Sequence, residues 1–170
     1  MNEFEKALVS DTYCKDTIPK ERNWFEPLIG SWDFTWIDNN AKKHREVQGE
    51  WIFSWILEGI GIQDMFICPS RKARITHPQP DEEYGTTLRI YNPKTLNWDI
   101  SYCCLGRVLT LEAKKEDDSI VLTNTLDNTR KWVFVSIEQN SFHWQNVSVK
   151  EDGSWHINSD IHATRVINQS

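Results

Sequence analysis

The stretch Leu28-Ile29-Gly30-Ser31-Trp32-Asp33-Phe34-Thr35-Trp36 decides how the rest of the chain is read. Trp32, Phe34 and Trp36 alternate with Ser31, Asp33 and Thr35, the two-residue period of a strand with one face in a core. Gly30 permits a sharp turn just before Trp32, and its missing side chain leaves the indole room against the backbone. A short polar segment precedes this strand, and one β-like run after another follows it.

The clearest alternation comes next, from His44 to Leu57. Val47, Gly49, Trp51, Phe53, Trp55 and Leu57 share one face and read as inward, whereas Glu46, Gln48, Glu50, Ile52, Ser54 and Ile56 share the other. Ile60 to Cys68 extends the pattern without a clean parity, with Gln63-Asp64 in its middle. Pro69 ends it, and Arg71 to Glu83 forms the longest loop. Further strands are expected at Tyr84–Tyr91, Leu96–Tyr102, Arg107–Ala113, Ile120–Thr125, Lys131–Ile137, Phe142–Val149 and Ser154–Val166, separated by turn residues. Nothing of helical length follows Trp32. About ten strands joined by short turns leave two raw edges unless the sheet closes. The expected fold is therefore all-β: a closed antiparallel up-and-down β-barrel, a single domain over residues 28–167. Residues 1–27 are a lead-in, of which Asn2–Ser10 suits one or two helical turns that lid or plug one barrel end.

Composition narrows the function. The chain has 170 residues, nine of them Trp, and a net charge of −6. That charge argues against nucleic acid and against an anionic membrane surface, both of which call for a basic patch. No apolar run approaches the roughly 20 residues of a spanning helix. The start Met1-Asn2-Glu3-Phe4-Glu5-Lys6 lacks the features of a secretory signal, and a cytoplasmic location is expected. Cys14, Cys68, Cys103 and Cys104 then read as reduced thiols without metal-ligand spacing. Asn146-Val147-Ser148 and Asn168-Gln169-Ser170 match the glycosylation pattern but carry no meaning without export.

At Gly30-Ser31-Trp32 the chain resembles the calycin superfamily of lipocalins, fatty-acid-binding proteins and nitrobindin-like barrels, which open on a G-x-W first strand. Arg165, in His162-Ala163-Thr164-Arg165, matches the terminal cation that such barrels pack over that Trp to close one end. From Pro27 to Arg165 the chain is also similar to small bacterial lipocalin-like proteins. Gly49-Glu50-Trp51, Ile62-Gln63-Asp64, Tyr84-Gly85-Thr86-Thr87-Leu88-Arg89 and Arg130-Lys131-Trp132-Val133-Phe134 carry that likeness, which implies no activity.

A barrel of this size is either filled by side chains or holds one small ligand. Inward Trp36, Trp51, Phe53, Trp55, Trp98, Tyr102, Trp132 and Trp144 would make an aromatic pocket for a flat or lipid-like molecule, and Trp32 belongs to the packed closed end. Asp64, among apolar neighbours, needs a partner, with Arg89, Arg107 and Arg130 as candidates. Asn146 shares a face with Trp144 and is an inward hydrogen-bonder, whereas His143 points outward. Nitrobindin-like barrels hold haem through one late-strand His. Here His156 and His162 fall opposite Trp155, Ile157, Ile161 and Ala163, so neither haem nor a metal is expected, and no cofactor. No G-x-S-x-G, C-x-x-C, H-E-x-x-H or phosphate loop occurs.

Three functions follow. The first is binding of a small apolar or aromatic ligand. The second, which the calycin resemblance implies because barrels of that superfamily include such enzymes, is an isomerase, cyclase or hydratase with Asp64 or Glu50 as acid/base. The third is a solid assembly module, and outward Ile37, Ile52, Ile56, Val133 and Val135 suggest a homodimer contact whichever holds.

Overall fold

Alternation becomes sheet along nearly the whole chain. The computed structural model describes residues 1–167, so the Asn168-Gln169-Ser170 pattern lies outside the described residues. Helix α1 (Glu3–Leu8) and the two-residue strand β1 (Val9–Ser10) come first, then 3₁₀ turns at Lys20–Arg22 and Glu26–Leu28. The barrel strands are β2 (Gly30–Asp38), β3 (Glu46–Ile56), β4 (Gly61–Cys68), β5 (Glu83–Asn92) and β6 (Asn97–Cys104). They continue as β7 (Arg107–Glu116), β8 (Ser119–Asn124), β9 (Arg130–Ile137), β10 (Ser141–Val149) and β11 (Trp155–Arg165), with a short helix α2 (Ala73–Thr76) between β4 and β5.

From β2 to β11 each strand pairs antiparallel with the next in sequence, and β11 pairs with β2 through Trp32–Arg165 and Ala163–Phe34. The circle of ten is closed, the architecture expected from the sequence. β1 adds a short edge on β3, Val9 opposite Ile56 and Ser10 opposite Trp55. No helix among the described residues is long and apolar enough to cross a membrane.

The interior is aromatic. Phe34, Trp51, Phe66, Phe134, Phe142 and Trp144 meet ring on ring, mostly edge to face, with centroids 4.9–6.1 Å apart. Gly49 exists for this packing: a Cβ there would fall 2.1 Å from Cζ of Phe34.

One end is shut. Trp32 is fully buried and donates its indole N–H to the Leu28 carbonyl at 2.7 Å. Arg165 lies over its ring at 4.2 Å and donates to the carbonyls of Pro27, Ile29 and Gln139. Gly30 has φ +123°, and a Cβ there would crowd the Arg165 guanidinium at 2.8 Å, so glycine is required twice over. The plug is the 13–29 segment, whose Ile18, Phe25 and Leu28 join the core at zero exposure. Helix α1, expected as lid or plug, is neither. It buries no residue, Phe4 stays exposed, and an Asn2–Glu5 capping box holds its start.

Two bulges change the late strands. The register slips at Val135 in β9 and at Asn158 in β11. The second exchanges the faces expected for Trp155, His156 and Ile157. Trp155 is exposed, and Ile157 packs on an outer cluster of Val121, Val133 and Val147 with Val135. Val133 and Ile56, expected as free outer apolar surface, are 3% and 1% exposed within the single chain, so neither is left for a second copy.

Candidate functional site

The end opposite Trp32 holds a cavity of about 280 Å³. Because inward residues alternate along each strand, the strand ends at this mouth set its lining. Trp36 comes from the end of β2, Val47 and Trp51 from β3, Phe66 and Cys68 from β4, and Thr87 from β5. Tyr102, Trp132, Trp144, Asn146 and Ser159 complete the wall from β6, β9, β10 and β11. Four indoles, from Trp36, Trp51, Trp132 and Trp144, face one space, and the Trp132 and Trp144 rings are 5.9 Å apart.

The chain between β4 and β5 supplies Pro69, Gln79 and Asp81 to the lining and crosses the mouth as a strap. Arg45 ties it down. Its guanidinium donates bidentately to Asp81 at 2.6 and 3.0 Å, to Gln79 at 3.0 Å and to Asp38 at 3.3 Å, and lies 5.1 Å over the Trp36 ring. The bond from Arg45 holds the Asp81 carboxyl below its ordinary pKa, and the same bond raises that of Arg45. On the other side Arg107 donates to Glu83 at 2.6 Å, and the Tyr102 hydroxyl donates to the second Glu83 oxygen at 3.2 Å. Burial pushes the Tyr102 hydroxyl pKa up, and burial also pushes the Cys68 thiol up to about 12, so both stay protonated. Each charge on the rim therefore has an opposite partner: Arg45 with Asp81, Arg107 with Glu83.

Seven residues singled out from the sequence line the cavity: Trp36, Trp51, Tyr102, Arg107, Trp132, Trp144 and Asn146. Five others do not, because they lie deeper toward the shut end. Phe53 and Trp55 pack in the core, Trp55 against Tyr13. Trp98 is fully buried and donates its N–H to the Arg22 carbonyl at 2.8 Å. Asp64 and Arg89 form the expected inward ion pair, but behind the cavity wall. Arg89 donates to Asp64 at 2.5 Å, the Thr87 N–H donates to the same carboxylate at 3.1 Å, and the guanidinium sits 5.3 Å from both the Phe25 and Phe53 rings. Asp64 is committed to these partners and is absent from the lining. Glu50 lies on the outer wall, bonded to Arg71. Neither Asp64 nor Glu50 lines the cavity.

Arg45, Gln79, Asp81 and Glu83 were not anticipated from the sequence. They come from the β2–β3 connection, the β4–β5 loop and the first residue of β5, 30 to 40 positions apart, and only the fold brings them together. No histidine lines the cavity among the described residues. His156, moved to the inward parity by the Asn158 bulge, is exposed at the start of β11 and bonds Asn40 at 2.7 Å. His162 points outward as expected. The one group of His, Cys, Asp or Glu side chains close enough to hold a metal among the described residues lies on the outer wall, at His143, Asp160 and His162.

A second hollow of about 350 Å³ adjoins the cavity at Arg107, Trp132 and Asn146. Leu126 and Val108 stand exposed at its border. In comparisons with known proteins, no family model matches the chain, and no curated protein matches it either.

Proposed function

We propose that this barrel binds one small, neutral, predominantly aromatic molecule in the cavity between Trp36, Trp132 and Trp144. The observation that carries the reading is a mostly apolar hollow whose rim charges are already paired. A volume of about 280 Å³ falls just below the roughly 300–1,000 Å³ of ligand sites. That favours a one- or two-ring compound over a long acyl chain. An anionic ligand would have to take Arg45 from Asp81 or Arg107 from Glu83, and a cationic one would meet the same pairs from the other side. Thr87, Asn146 and Ser159 offer a neutral guest hydrogen bonds. Exposed Val108 and Leu126 give it an apolar approach.

Tryptophan emission tests the reading. Titration with 1-naphthol is expected to give saturable one-to-one quenching, and 1-naphthalenesulfonate to bind at least tenfold more weakly. Val47→Phe, which fills the hollow, is expected to abolish the change while leaving the thermal midpoint near that of the parent. Quenching that never saturates, or that survives Val47→Phe, contradicts the proposal.

A further inference from the structure

We propose that His143, Asp160 and His162 form a binding site for a divalent transition-metal ion, zinc or copper, on the outer wall of the barrel. The register assembles it. His143 on β10 lies directly opposite His162 on β11, and Asp160 is two residues before His162, hence on the same face. His143 Nε2 is 2.6 Å from Asp160 Oδ1, and the two imidazole rings lie parallel, 15° apart in plane and 4.5 Å between centres. One donor atom from each of the three residues falls within 4.8 Å of the others. With metal–ligand bonds of about 2.0–2.2 Å, neighbouring donors in a tetrahedral site stand roughly 3.3 Å apart. Small side-chain rotations open the 2.6 Å His143–Asp160 contact and shorten the longest separation, at most 4.8 Å, to that spacing.

The surroundings suit a metal centre. Asn39 donates to Asp160 Oδ2 at 2.7 Å and Gln145 donates to Oδ1 at 3.0 Å, so the carboxylate is held by an outer shell of amides. Ser136, opposite His143 on β9, and Thr35, opposite His162 on β2, are small and leave space over the site. The His162 imidazole is exposed and makes no hydrogen bond among the described residues, so a fourth coordination position opens to water. Two imidazoles and one carboxylate select zinc, copper or nickel over magnesium and calcium, which require oxygen ligands. The site lies on the wall's outer face and does not depend on what occupies the cavity.

The tag-free full chain titrated with zinc chloride by calorimetry tests this. One equivalent is expected to bind, with no heat from magnesium chloride. His162→Gln, an exposed change that spares folding, is expected to weaken zinc at least tenfold, and Asp160→Asn by about tenfold. With one equivalent of copper(II), electron paramagnetic resonance is expected to show two nitrogen ligands in the parent and one in His162→Gln. Absence of zinc heat, or equal affinity in the parent and His162→Gln, overturns the site. So does a copper spectrum unchanged by that substitution.

Discussion

The Arg165 guanidinium lies 4.2 Å over the Trp32 ring, and the two residues are register partners where β11 meets β2, the first strand of the barrel. Closure of the sheet and closure of the barrel end are thus one contact. The cation also satisfies three carbonyls, from Pro27, Ile29 and Gln139, that would otherwise face a shut end. Arg165→Ala is expected to cost roughly 2–4 kcal/mol, from a cation–π contact and charged hydrogen bonds. Urea denaturation followed by tryptophan emission measures it, and Arg165→Lys should recover only part, because an ammonium cannot reach all three carbonyls in the guanidinium's plane.

Asp64 and Arg89 should behave as one unit. Both side chains are at most 1% exposed, and removing either leaves a buried charge without its partner. Asp64→Leu or Arg89→Met alone is expected to destabilise by about 3–5 kcal/mol. The double substitution should cost much less than the sum, a coupling that a double-mutant cycle reads directly.

The strap over the mouth depends on Asp81 being ionised. The Arg45 bond lowers the Asp81 pKa in the folded state below its unfolded value, which is about 3.9. Its contribution is therefore complete above about pH 4 and is lost as pH falls through the lower folded value. Asp81 is exposed enough for solvent to weaken the pair, so the effect on global stability is small. The carboxyl-carbon NMR titration of Asp81 should have its midpoint below about 3.9 in the parent. It should move upward in Arg45→Gln.

Thiol reactivity maps the interior. Cys103 is exposed and should be alkylated first at pH 8, whereas Cys68 faces the cavity with its pKa near 12 and should react last. Mass spectrometry of partially alkylated protein gives the order. The cavity ligand proposed above should slow Cys68 further and leave Cys103 unchanged.

Much of this was legible in the residues. Strict alternation in β3 fixes which face of Trp51, Phe53 and Trp55 is inward, and Gly30-Ser31-Trp32 with Arg165 marks the closure. An aspartate amid Ile62, Met65, Phe66 and Ile67 called for a buried cation, and Arg89 is that cation. Parity, however, separates inside from outside without giving depth along the barrel axis. Phe53 and Trp98 thus resemble Trp36 and Trp132 in sequence, yet two pack at the plugged end and two line the cavity. The bulges at Val135 and Asn158 have no sequence signature, and each reverses the faces beyond it. The meeting of Arg45 with Asp81, and of His143 with His162, rests on a loop path and a strand register that local pattern does not encode.

Crystals of the protein grown with 6-bromo-2-naphthol give the most direct test of the cavity as a ligand site. An anomalous bromine peak inside the barrel, among Trp36, Trp132 and Trp144, is the expected result. A fully occupied compound found only on the outer wall, or a mouth filled by the protein's own side chains, would contradict it.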